Sequence, residues 1–175
     1  MARTVVNVLI VADTHGELDA RVLALARDCE HVVHAGDIGA RAVLEQLAGE
    51  ARTVTAVRGN NDVAAKWSRE EANVLAALPE VATLELPGGT LAVVHGDRHG
   101  SGSTRHRRLR RQFADAALVV YGHSHRLFID QTMTPWIVNP GAAGRVRTYG
   151  GPSALRLEAR ARGPWSVHTY RFERR

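Results

Sequence analysis

The sequence predicts an α/β fold in which two β-sheets pack face to face with helices outside. Three observations carry this expectation. Up to Val57, runs of Val, Ile and Leu alternate with segments of helical spacing, as in a parallel sheet with crossover helices. A β-hairpin signal, Pro87-Gly88-Gly89, then separates two apolar runs. From Phe128 onward the chain reads as short strands, and two facing sheets bury all of this most simply.

Each element has its own warrant. Val5–Ala12 is apolar on both parities, the pattern of a strand covered on both faces. Between Gly16 and Asp28, Leu18, Val22, Leu25 and Cys29 recur at helical spacing. A second strand is expected at His31–Ala35, a helix at Ala40–Ala48 with Val43, Leu44 and Leu47 inward, and a third strand at Thr53–Val57. The hairpin joins Ala82–Leu86 to Thr90–Val94. An Arg-rich helix then leads into a buried strand at Ala117–Tyr121. Further strands are expected at Met133–Val138, Ala154–Ala159 and Ser166–Phe172.

Composition narrows the class. A chain of 175 residues, 45% hydrophobic and without repeat or linker, is expected to form one domain over 1–175. No run approaches the length of a membrane span. The apolar run after Met1–Thr4 passes straight into Asp13 and His15 with no small-residue cleavage site, so a cytoplasmic protein is expected. Cys29 is the single cysteine; it excludes an intrachain disulfide and reads as a buried, inert thiol. The net charge of +5 keeps nucleic acid in view as a partner, but does not favour it. The basic run Arg105–Arg111 lies on a helix whose apolar side carries Leu109 and Phe113. Arg107, Arg108, Arg110 and Arg111 are therefore expected to face solvent. Trp136, Trp165 and Tyr170 are candidates for either core or a homo-oligomer interface.

Five polar clusters follow apolar runs: Asp13-Thr14-His15, Gly36-Asp37, Gly59-Asn60-Asn61-Asp62, His95-Gly96-Asp97 and Gly122-His123-Ser124-His125. Loops at the C-terminal edge of an α/β sheet converge, so residues distant in sequence are expected to meet there. Oxygen and imidazole donors without thiolate suit Mn, Fe, Zn, Co or Ni in hydrolytic sites. Glycines before Asp37, Asn60 and His123 are expected to make the sharp turns that release the next side chain. Each cluster also has an ordinary structural reading: Asp13 and Asp37 as helix N-caps, Asp62 as a cap or buried acceptor, Asn60 as a left-handed turn residue. His34 is expected in the core or behind the site, His106 and His168 at the surface, and His99 within reach of a substrate.

The ordered set resembles the calcineurin-like metallophosphoesterases, in particular their small single-domain branch of bacterial and archaeal phosphodiesterases, which includes the retromer scaffold subunit. The resemblance runs from Val5 to about Gly141 and takes in the Asn139-Pro140-Gly141 turn. It implies a four-layer αββα sandwich of two mixed sheets flanked by helices. It also implies two divalent ions, manganese favoured and Fe, Ni, Co or Zn admitted. Asp13, His15, Asp37 and His125 would hold one; Asp37, Asn60, His95 and His123 the other, with Asp37 bridging. The implied activity is hydrolysis of a small phosphoester, diesters favoured over monoesters, by a hydroxide held between the ions. The branch also admits a non-catalytic scaffold, and the basic helix admits a metal-dependent nuclease. Two departures matter. Asn61 stands where the family usually has His or Cys, and it donates a hydrogen bond but is no acid near neutral pH. Asp97 stands where the small branch tends to carry a second His.

Overall fold

The computed structural model describes residues 4–174. The sequence readings at Met1–Arg3 and at Arg175 lie outside the described residues. In chain order the elements are β1 (Val5–Val11), α1 (Ala20–Ala24), β2 (His31–His34), α2 (Arg41–Glu50), β3 (Thr53–Ala56), α3 (Ala72–Ala77), β4 (Val81–Leu86), β5 (Gly89–Val94), α4 (Gly102–Gln112), β6 (Leu118–Val120), β7 (Leu127–Asp130), β8 (Trp136–Pro140), β9 (Ser153–Arg160) and β10 (Ser166–Arg171).

Two five-stranded mixed sheets result, in the orders β10-β9-β1-β2-β3 and β4-β5-β6-β8-β7. The crossover-connected strands β1, β2 and β3 are parallel, with Val8 opposite His31 and Val33 opposite Thr55. In the second sheet β5, β6 and β8 are parallel, and the hairpin partner β4 and the edge strand β7 are antiparallel. Strand periodicity explains the layering. Val6, Val8 and Ile10 of β1 point between the sheets, where they meet Leu91, Val93, Leu118, Val120 and Val138. Leu9 and Val11 point the other way, onto Val22, Val43, Leu47 and Leu75 of the helical side. On the far face, Leu109 of α4 packs on Ala92, Val119 and Ile137. Helices, sheet, sheet and helix make the expected four-layer αββα sandwich.

Several boundaries differ from expectation. Residues 16–18 are loop rather than helix, because Gly16 has a φ of +91° and Asp19 caps α1 by accepting the Arg21 N–H. The helix α3 was not anticipated. Its signal is the reciprocal Ser68/Glu71 capping box before Leu75. The strand expected from Met133 begins at Trp136; residues 132–135 bend, and Met133 is exposed. Trp165 is buried, Trp136 is half-buried, and both belong to the inter-sheet core. Arg110 does not face solvent freely, since it pairs with Asp130 at 2.7 Å and donates to the Pro135 carbonyl. His106 is half-buried rather than superficial, stacked on Phe128 and bonded to the Tyr121 hydroxyl. Cys29 is free and buried, and burial pushes its thiol up to about 11. Among the described residues no helix is long and apolar enough to cross a membrane.

Leu118 is fully buried between the sheets. Leu118→Ala should cost about 2–5 kcal/mol in chemical denaturation, the range for a cavity in a closely packed core. A loss below about 1 kcal/mol would mean the two sheets do not share this core.

Candidate metal centre

Loops after β1, β2, β3, β5 and β6 meet at one edge of the two sheets, and backbone hydrogen bonds extend the strand pairing into them. Asp13 N donates to Gly36 O, His15 N to Asp37 O, and Gly16 N to Ile38 O, at 3.0, 2.9 and 2.7 Å. Gly122 N donates to His95 O, joining the two loops of the second sheet. Among the described non-glycine residues, φ is positive only at Asp13, His15, Asp37, His123, His125 and Arg147. Such backbone costs of order 1–3 kcal/mol per residue and gathers at functional sites. Five of these residues come from the sequence motifs; the sixth, Arg147, carried no sequence signal.

The same backbone angles settle the ordinary readings. Asp13 and Asp37 are themselves left-handed and cap none of the helices, whereas Asn60 is not left-handed. Of the glycines before Asp37, Asn60 and His123 only Gly36 turns with a positive φ. Gly59 is needed for space: a Cβ there would lie 2.1 Å from Asp37 N and 2.2 Å from Asp37 Oδ1. Gly122 lies close against Ala12 and the Ala35 carbonyl for the same reason.

Asp62 is the buried acceptor foreseen as one reading. Its carboxylate accepts from the N–H groups of Gly59, Ile38 and Gly39 and from Trp67 Nε1, tying the Asp37 loop to the Asn60 loop. His34 lies behind the site. Thr14 Oγ1 donates to Ile38 O, so it accepts from His34 Nε2, and His34 Nδ1 accepts from Gly36 N. That arrangement needs a neutral ring, and burial holds its pKa down to about 4. Asn139 fixes the last motif by donating to Gly122 O and Ser124 Oγ.

Donor atoms of Asp13, His15, Asp37 and His125 all lie within 4.8 Å of one another. His15 Nε2 and His125 Nε2 are 3.1 Å apart, and His125 Nε2 is 3.6 Å from Asp13 Oδ1. Two nitrogens each about 2.0–2.1 Å from one ion sit roughly 3 Å apart at a right angle, so this spacing fits a cation. Asp13 Oδ2 fits it too, being a fully buried carboxylate oxygen without a hydrogen-bond partner. His125 donates from Nδ1 to Val146 O, which leaves the Nε2 lone pair toward the cluster; there it accepts from Arg147 Nη2 at 3.1 Å.

Beside this group lie Asn60, His95 and His123. Asn60 Oδ1 is 3.0 Å from both His95 Nε2 and His123 Nδ1, and His95 Nδ1 donates to Ala35 O. Asp37 stands between the groups: its Oδ2 is 3.8 Å from His15 Nε2 and 3.4 Å from His95 Nε2. Asn61 does not face open space. Its backbone N–H donates to Asp37 Oδ1 and its side-chain amide to Asp37 Oδ2, both at 2.7 Å, while its Oδ1 accepts from Lys66. The seven side chains chosen from sequence as ligands therefore all stand at this edge, and Asn61 touches Asp37 directly.

Electrostatics are shaped by burial and by mutual contact. Burial pushes Asp13 up to about 7, and the charge of Asp37 adds to it against the pull of His95. Burial alone would raise Asp37, but the hydrogen bond and charge of His95 and the two Asn61 donors hold it well below the usual carboxylate range. His95 is driven down by burial, yet Asp37 more than reverses this and brings it up to about 9. His125 is held down to about 4, first by burial and then by the Arg147 charge. A cleft of about 580 Å³ opens beside Asn60 and His95, walled by Arg58, Asp97, Arg98 and His99.

An αββα sandwich whose strand ends gather carboxylates and imidazoles within reach of an ion defines a metallophosphoesterase-type protein. Residues 6–162 match the calcineurin-like phosphoesterase superfamily domain, and the chain belongs to that superfamily. It is 27% identical over 138 residues to a probable metallophosphoesterase of Methanothermobacter thermautotrophicus, covering 76% of this chain and 74% of the relative. Vacuolar protein sorting 29 of Cryptosporidium parvum has the same fold, with a TM-score of 0.76 at 18% identity over 98% of this chain and 100% of the other. Vps29 of Entamoeba histolytica complexed with zinc superposes with a TM-score of 0.66 at 17% identity, over 94% of this chain and 98% of the other.

The Asp13 carboxyl titrates near 3.8 when unperturbed and at about 7 when folded, so the folded state holds the extra proton between those values. Its contribution to stability therefore falls as pH rises through that window. His34 and His125, held down to about 4, act with the opposite slope up to about 6.5, so the Asp13 effect must be read as a difference. In EDTA-treated protein, Asp13→Asn should gain on the order of 2–4 kcal/mol relative to wild type between pH 4 and pH 8 in urea denaturation. A constant difference across that range would contradict the assignment.

Proposed function

We propose that this protein is a dinuclear metal-dependent phosphodiesterase acting on small phosphoesters. The observation that carries the reading is the single oxygen Asp37 Oδ2, which faces His15 of one donor group and His95 of the other. In this reading Asp13, His15, Asp37 and His125 hold one ion, and Asp37, Asn60, His95 and His123 the second. Divalent ions bound here would lower the pKa of a water toward neutrality and polarise the phosphate oxygens. Manganese is favoured by the mixture of carboxylate, amide and imidazole donors, which also suits Fe, Ni, Co and Zn. The cytoplasm is the proposed location, in keeping with the unpaired Cys29.

The chain's own groups divide the remaining work. Asn60 contributes a neutral oxygen, which keeps protein negative charge low and leaves the site attractive to a phosphate. Asn61 fixes both oxygens of Asp37 through two donors. The cleft walled by Arg58, Arg98 and His99 receives the organic part of the substrate. No acid stands ready for the leaving oxygen at Asn61. His99, the other candidate, has Nε2 on Gln112 Oε1 at 2.8 Å and a buried Nδ1. The leaving group therefore departs largely as an anion, and general acid help, typically worth about 10²–10⁴-fold, is missing.

Two outcomes follow. Asp37→Asn should weaken both ions and lower hydrolysis of bis(4-nitrophenyl) phosphate by more than the roughly 10–100-fold that loss of a supporting partner costs. Two tightly bound ions with near-normal turnover in that variant would sink the bridging role. Across a series of phosphodiesters, the wild-type rate should fall steeply as the leaving-group pKa rises, activated aryl esters reacting far faster than alkyl esters. A shallow dependence would show that a proton donor operates after all.

A further inference from the structure

A second cavity, of about 550 Å³, is lined by Arg147, the residue that reaches His125 of the centre. Four arginines line it: Arg21, Arg145, Arg147 and Arg174. Their counter-charges are few. Arg21 is held by Asp19, and the exposed Arg145 reaches Glu17 at 3.3 Å. Arg174 donates to a neutral carbonyl, Thr148 O, and Arg147 to the imidazole His125 Nε2. Among the described residues neither Arg147 nor Arg174 has a carboxylate partner; with Asp19, Glu17 and the charge of Glu173 acting on Arg21, the four guanidinium groups still outnumber the carboxylates.

The pocket is built into the fold. Ala143 N donates to Ala12 O and Asp19 N to Ala143 O, docking the loop after β8 onto the end of β1. At Gly144 a Cβ would lie 2.3 Å from Thr14 O, so backbone packs directly on backbone. Arg147, with a φ of 49°, is set by that loop at the seam between pocket and centre. Its guanidinium donates to the same His125 nitrogen that faces Asp13 and His15. Once that lone pair is taken up by an ion, Arg147 loses its partner and is free to turn to an anion in the pocket it already lines. Guanidinium groups in this number suit phosphate oxygens, which they bind through paired donors.

We propose that this pocket binds a second phosphoryl group of the substrate, so that preferred substrates are small phosphoesters with a further phosphate. The assignment rests on the phosphoesterase reading above and deepens it. A pocket of about 550 Å³ lined by four arginines suits a small polyanion rather than a nucleic-acid strand.

Two arms test it. Calorimetric titration of inorganic tripolyphosphate into EDTA-treated protein should show one site per chain, weakened about tenfold or more in Arg145→Gln/Arg174→Gln. Arg107→Gln/Arg108→Gln, on the exposed face of α4, should stay within about twofold. Arg145→Gln alone, at an exposed side chain, covers the case where loss of the Thr148 contact disturbs the fold. Equal weakening in the α4 variant would reduce the effect to net charge and overturn the pocket. In the second arm, metal-loaded enzyme is given 4-nitrophenyl esters of a nucleoside 5′-phosphate with and without a 3′-phosphate. The ratio of kcat/KM between them should favour the 3′-phosphorylated ester and fall about tenfold in Arg145→Gln/Arg174→Gln. An unchanged ratio overturns the proposal even if tripolyphosphate binds, and so does tighter binding of a single-stranded oligonucleotide than of tripolyphosphate. Loss of hydrolysis of both esters, with tripolyphosphate binding intact, would instead sink the phosphoesterase reading and the substrate role with it.

Discussion

The position of one carboxylate governs the rest of the centre. Asp37 has one oxygen within 3.8 Å of His15 and 3.4 Å of His95, and these histidines come from opposite sheets. It cannot drift, because Asn61 holds both oxygens and Gly59 presses its backbone against the Asp37 N–H. Asp62 then anchors both loops from below, gathering donors from Ile38, Gly39, Gly59 and Trp67. A buried carboxylate is tolerated only when its acceptors are satisfied, so Asp62 in turn fixes where those N–H groups must lie. Loss of Asp37 would remove a contact between the two sheets at this edge, and loss of Asp62 would free the loops after β2 and β3 from each other.

Strain and charge are concentrated at this edge. Six left-handed non-glycine residues would be an odd way to build loops for stability alone. Their cost is offset by backbone bonds that continue the β1–β2 pairing past the strands and by the apolar core between the sheets. The charge pattern has the same character. Burial leaves Asp13 disposed to keep a proton, while Asp37 draws a proton onto His95. Both distortions ease when positive charge enters the site, which is how a protein binds a cation at neutral pH without excess acidic residues.

Much of this was legible in the sequence. The Val- and Ile-rich runs and the helical spacings gave both sheets, because side-chain periodicity is set by the layer each strand must face. That the seven candidate side chains meet at one edge was legible because every one follows an apolar run, where strand ends converge. Asn61 was singled out for the acid it lacks, but its grip on Asp37 could not be read, since that depends on the close approach Gly59 allows. Arg147 carried no signal at all: it belongs to an irregular loop, and only three-dimensional docking onto β1 brings it to His125. Arg110 and His106 looked like surface residues because helical spacing does not reveal a tertiary partner such as Asp130 or Tyr121. Gly16 and the Asp19 cap shortened a helix that apolar spacing alone extended too far.

Asp37 is proposed to couple two ions in one centre, and low-temperature electron paramagnetic resonance of Mn(II)-loaded protein reads that coupling. At two equivalents of manganese per chain the wild type should give the multiline spectrum of an exchange-coupled pair, replaced in Asp37→Asn by the pattern of isolated ions. Saturation at a single manganese per chain in the wild type, or two ions with no magnetic coupling, would contradict it.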